Sequence, residues 1–131
     1  ANSFVNITKR MDAKLTITHP EGYELNSDIT NGAYVSNDQN EAFKNADFIY
    51  AKNWSSFNNY GKVLKKDLDW MITKSKMNLT NNAKFMHCLP IRRNVVASDE
   101  VIDSNNSLIL NQVENRIYSA QSVLKTIIEN G

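Results

Sequence analysis

The residues best suited to chemistry lie in one stretch, Phe85-Met86-His87-Cys88-Leu89-Pro90-Ile91-Arg92-Arg93-Asn94. It joins a histidine, the single cysteine of the chain, a Leu-Pro step and a pair of arginines. Arginine presents a planar fork of donors that matches phosphate or carboxylate. Proline after Leu89 forces extended or turn geometry, and X-Pro bonds are the ones that adopt the cis form. The Leu89–Pro90 bond is expected to be cis. Together these types fit an anionic, hydrogen-bonding ligand. The plain alternative is a strand that ends in a turn, with a packed His and Cys and a surface arginine pair.

The elements around the stretch must place it. Residues 83–86 form a short apolar run that reads as a buried strand, and open α/β sheets bind ligands beyond the carboxyl ends of such strands. Upstream, helical spacing of Phe4, Ile7 and Met11 predicts a helix over 2–11 with Ser3 as its cap. Strands are expected over 14–18, 33–36 and 48–51, the last without alternation and hence covered on both faces. A weak helix or turn over 26–30 leads to the Asn31-Gly32 turn, and Asp38 or Asn37 caps a helix over 39–45. Residues 53–61 read as a long Asn- and Ser-rich loop able to cover a substrate, and 64–77 as a helix. Ser98 caps a short helix, and 107–110 is a strand. The chain closes on a helix over 113–129, with Ile117, Ala120, Val123, Leu124, Ile127 and Ile128 as a core stripe. Strands alternating with helices predict an α/β fold, a parallel open sheet with helices on both faces.

The 131 residues amount to one domain with room for a core. A net charge of +1 with scattered charges argues against nucleic-acid binding through a basic face. One cysteine forms no internal disulfide and suits a reducing cytoplasm. No run reaches membrane-spanning length, no signal peptide is visible, and no membrane partner is expected. Without a Gly-x-Gly-x-x-Gly run or a Cys/His pair at ligand spacing, neither dinucleotide nor structural metal is expected.

His87-Cys88-Leu89-Pro90, with arginines just after it, resembles the signature of the ornithine carbamoyltransferase family. Ser98-Asp99-Glu100-Val101-Ile102, Ser107-Leu108-Ile109-Leu110 and Glu114-Asn115-Arg116 extend the likeness downstream. Asn2-Ser3-Phe4, His19-Pro20-Glu21-Gly22-Tyr23 and Ala46-Asp47-Phe48-Ile49-Tyr50 extend it upstream. The wording of 87–94 and of Tyr50-Ala51-Lys52-Asn53-Trp54 is most similar to the branch acting on N-acylated ornithine. The resemblance implies a Rossmann-like second domain lacking its first strand, and carbamoyl transfer from carbamoyl phosphate to a substrate δ-amine without a cofactor. It implies carbamoyl-phosphate contacts from His87 and from Arg92 or Arg93, which spacing leaves undecided. Leu89 would offer its backbone carbonyl to the attacking amine, and Cys88 would contact the same amine. Asn2, Lys52, Leu89 and Pro90 would line the substrate side.

The ornithine enzymes carry an Asp two residues before a Trp, pairing with the α-ammonium of free ornithine. Lys52 stands there and would repel an ammonium, so the resemblance implies an acylated α-nitrogen. The acetylornithine enzymes carry a Lys a little beyond the paired arginines, where this chain has Val95-Val96-Ala97. That favours N-succinylornithine over N-acetylornithine. The alternatives are an ordinary ornithine carbamoyltransferase, or a non-catalytic α/β binding module or degenerate homologue. The family's Ser-x-Arg-Thr-Arg and His-Pro-x-Gln elements, which belong to an amino-terminal carbamoyl-phosphate domain, have no match here. The implied partners are that missing domain and a homotrimer, in the cytoplasm, serving arginine biosynthesis. The isolated chain is expected to be inactive.

Overall fold

The computed structural model of the protein describes residues 1–53, 55–56, 59 and 68–131. In chain order these form α1 (Asn2–Thr8), β1 (Thr16–Thr18), α2 (Ser27–Thr30), β2 (Tyr34–Ser36), α3 (Gln39–Phe43) and β3 (Phe48–Ala51). A 3-10 turn at Leu68–Trp70 follows, then α4 (Lys74–Met77), β4 (Lys84–His87), α5 (Asp99–Ile102) and α6 (Ile109–Asn130). The α/β class with parallel strands is as expected. The strands form two parallel pairs, β1 with β2 and β3 with β4. In the second, Ile49 lies opposite Phe85 and Ala51 opposite His87.

Local chemistry explains most boundaries. The Asp38 carboxylate accepts from the Asn40 and Glu41 amides and starts α3. Asn26 caps α2 through the Asp28 amide, and the Thr73 hydroxyl accepts from Lys76 to start α4. Thr30 and Ala33 close the expected Asn-Gly turn, with Gly32 at φ 80. The core lies on one face of β3–β4, where Phe85 and Ala97 are fully buried against Phe43, Ile49, Ile72, Val96 and Val101.

Several expectations are corrected. Ser3 is not a cap: α1 starts after Ala1 without a side-chain cap bond and ends at Thr8. Phe48 is exposed, so β3 is not covered along its whole length on both faces. The helix expected over 64–77 lies partly outside the described residues. Its described part is broken by the extended Thr73, and Ile72 instead bridges to Ala97. Residues 107–110 are not a strand. Ser107 makes one bridge to Phe85, and the chain turns into α6 at Ile109; a short apolar run does not distinguish strand from buried helix. The stripe of α6 is not core either: Ile117, Val123, Leu124, Ile127 and Ile128 are all exposed. Only Ile109 of this helix is buried, because no described element packs beside its later turns. No described helix is long and apolar enough to cross a membrane.

Candidate functional site

Alternate side chains of a strand share a face. Ile49, Ala51, Phe85 and His87 therefore turn to the core, while Tyr50 and Met86 turn the opposite way. Just past the strand ends, Lys52 and Cys88 continue that second face. The Lys52 ammonium donates to the Cys88 sulfur at 3.1 Å. Phe4 of α1 stacks on the Tyr50 ring, with centroids 4.1 Å apart. The first turns of α6 reach the same region: Gln112, Val113 and Arg116 line a cavity of about 410 Å³ with Cys88 and Leu89. The strand-end position predicted for chemistry is thus a concave place with both polar and apolar walls.

Its electrostatics centre on Cys88. Partial burial pushes the thiol up, but hydrogen bonds from Lys52 and Tyr50, together with the Lys52 charge, outweigh this and hold it below an ordinary thiol. The Tyr50 phenol is raised by burial first, then by its bond to Cys88 and that group's charge; it remains the donor. The activating partners that spacing did not reveal are therefore Lys52 and Tyr50. Register explains this, since Lys52 and Cys88 each follow a paired residue, Ala51 and His87.

The backbone after β4 is unusual. Leu89 has φ 53, and the Leu89–Pro90 bond is cis, as expected from the motif. The Leu89 amide donates to His87 Nδ1 at 2.9 Å, and the Asn53 side chain donates to the Pro90 carbonyl at 2.8 Å. His87 itself is 1% exposed. It lies on the core face and is not among the cavity walls. Burial, then the nearby Lys52 charge, lower its pKa, so it is neutral near neutrality.

The other expected site residues are dispersed. Asn2 is exposed at the start of α1, whose Phe4 reaches Tyr50. Pro90 and Arg92 are exposed. Arg93 is committed elsewhere: its Nε donates to Asp99 at 2.6 Å, and both terminal nitrogens donate to Asp103. Two contributors were missed, Gln112 and Arg116. Arg116 was visible as the end of Glu114-Asn115-Arg116, but spacing along the chain does not show that the first turns of α6 face the end of β4. Of the stretch where a second lysine would stand, Val95-Val96-Ala97, Val95 is half-buried and Val96 and Ala97 are buried in the core. Among the described residues no group of three or more His, Cys, Asp or Glu side chains is placed to hold a metal ion.

The family described as aspartate/ornithine carbamoyltransferase, Asp/Orn binding domain, matches residues 1–127. The chain is 48% identical over 130 residues to N-succinylornithine carbamoyltransferase of Bacteroides thetaiotaomicron, covering 98% of this chain and 41% of that protein. It is 32% identical over 145 residues to N-acetylornithine carbamoyltransferase of Xylella fastidiosa, covering 97% of this chain and 43% of that protein. Among solved structures, N-acetyl-L-ornithine transcarbamylase complexed with acetylcitrulline superposes with a TM-score of 0.84 at 32% identity, over 94% of this chain and 42% of that one. A point variant of that transcarbamylase, complexed with carbamyl phosphate and N-succinyl-L-norvaline, gives a TM-score of 0.85 at 32% identity with the same coverage. The chain thus spans less than half the length of the relatives it matches.

Proposed function

Because this chain belongs to the aspartate/ornithine carbamoyltransferase family, as its Asp/Orn binding domain, we propose that it is the amino-acid-binding part of an N-acylornithine carbamoyltransferase. The δ-amine of the substrate attacks the carbamoyl carbon of carbamoyl phosphate. A C–N bond forms, the C–O bond to phosphate breaks, and the amine nitrogen gives up a proton. N-succinylornithine is favoured over N-acetylornithine, as its similarity to the succinyl enzyme suggests.

The single observation that carries this reading is the Lys52 ammonium against Cys88, a residue that lines the cavity together with Leu89 and Arg116. A cation there disfavours a free α-ammonium and suits an amide nitrogen with a nearby carboxylate. The Leu89 carbonyl is the acceptor for the δ-amine, and Cys88 a polar neighbour of it. Positive charge around the leaving phosphate comes from Arg116 and Arg92, since Arg93 is tied to Asp99 and Asp103. Asn2 and Pro90 complete the substrate side. The phosphate cradle belongs to a further domain of a longer polypeptide, and the exposed apolar stripe of α6 is the surface on which such a domain packs. The assembled enzyme is a cytoplasmic homotrimer of arginine biosynthesis. A citrulline-forming assay on the full-length protein tests the reading. Carbamoylation of N-succinylornithine is expected; carbamoylation of free ornithine alone would overturn it.

A further inference from the structure

We infer that His87 is a positioning residue, which with Asn53 clamps the backbone on both sides of the Leu89 carbonyl, and that it does so as a neutral acceptor without touching either substrate. The inference deepens the proposed function and rests on it for the role of that carbonyl. Leu89 has φ 53, a conformation that L side chains rarely adopt. Such a residue persists where its surroundings over-determine it. Here there are two anchors. His87 Nδ1 accepts the Leu89 amide at 2.9 Å, and Asn53 Nδ2 donates to the Pro90 carbonyl at 2.8 Å. The Leu89 carbonyl lies between these anchored groups in the chain, so its direction follows from them.

The hydrogen bond fixes the tautomer. An imidazole nitrogen that accepts carries no proton, so the single ring proton of neutral His87 sits on Nε2. That N–H is buried and has no partner among the described residues. A ring kept for ligand contact would face the cavity, whereas this one is on the opposite face, 1% exposed. Doubly protonated imidazole would set two donors against each other at Leu89. The clamp therefore requires an acceptor at the Nδ1 position and nothing at Nε2.

This requirement separates two substitutions. The Asn carboxamide oxygen falls near the place of Nδ1, while that of Gln reaches toward Nε2. In the full-length protein, His87→Asn is expected to keep kcat within about tenfold, while His87→Gln loses about a hundredfold or more by misplacing the carbonyl, with KM for carbamoyl phosphate little changed. Equal losses in both variants with a raised KM for carbamoyl phosphate would overturn the clamp and make His87 a ligand contact. Nitrogen-15 NMR of the 131-residue chain gives an answer independent of activity or variant folding. The expected signature is a His87 ring protonated on Nε2 only at neutral pH. A proton on Nδ1 would overturn the clamp even if the enzyme works as proposed. Conversely, the Nε2–H signature in a full-length protein unable to carbamoylate any ornithine would leave the clamp standing and sink the functional reading.

Discussion

At the scale of residues, the site is a question of which charges meet at the ends of β3 and β4. Lys52 and Cys88 are neighbours because they extend paired strands in register, and their contact gives the cysteine its lowered pKa. The sign is testable. Alkylation of Cys88 by iodoacetamide, a measure of thiolate, is expected to level off at a pH below the ~8.5 of a free thiol. Lys52→Ala should move that midpoint upward; no movement would show that Lys52 does not act on the sulfur. Under the proposed function the same ammonium disfavours a free α-ammonium. Two like charges about 4 Å apart repel by about 1 kcal/mol in water and about 4 kcal/mol at an effective dielectric near 20. Lys52 is exposed in this structure, which places the effect toward the lower end. Lys52→Asp in the full-length enzyme is therefore expected to shift the ratio of acylated to free ornithine turnover by about tenfold or more toward free ornithine. An unchanged ratio would assign the discrimination to other residues.

At the scale of elements, packing separates what carries the fold from what awaits a partner. Phe85 is fully buried, so Phe85→Ala should cost about 3–5 kcal/mol in urea unfolding of the chain. Ile127→Ser on the exposed end of α6 should change the same stability by less than about 0.5 kcal/mol. A large loss at Ile127 would mean that α6 folds back on this domain. Asp38→Ala removes the two hydrogen bonds that its carboxylate accepts from backbone amides at the start of α3 and should cost about 1 kcal/mol. The sequence was legible where local chemistry is decisive: the strand over 48–51, the strand over 83–86 shifted by one residue to Lys84–His87, the Asp38 cap and the Asn31-Gly32 turn. It was misleading where tertiary context decides. The periodicity of Ile117, Val123 and Ile127 marks an apolar face but not what covers it, and the run 107–110 is split, Ser107 making one bridge before α6 begins at Ile109. The positions of Arg93 and His87 were equally hidden. An arginine beside Asp99 and Asp103 in space, and a histidine on the core side of a strand, read like ligand residues until register is known.

At the scale of the whole molecule, the proposed function makes this domain one wall of a site whose phosphate-binding wall lies on another domain. The 131-residue chain alone is expected to show no carbamoyl transfer, since losing the positioned second reactant forfeits up to roughly 7–11 kcal/mol of the barrier reduction. Steady turnover by the pure chain would overturn that division of labour. Whether the lysine-bearing strand end selects an acylated α-nitrogen, as proposed, is read from kcat/KM of the full-length wild-type enzyme. Carbamoyl phosphate is held saturating while free ornithine, N-acetylornithine and N-succinylornithine are compared. The highest kcat/KM is expected for N-succinylornithine and the lowest for free ornithine; a preference for free ornithine would contradict selection by Lys52.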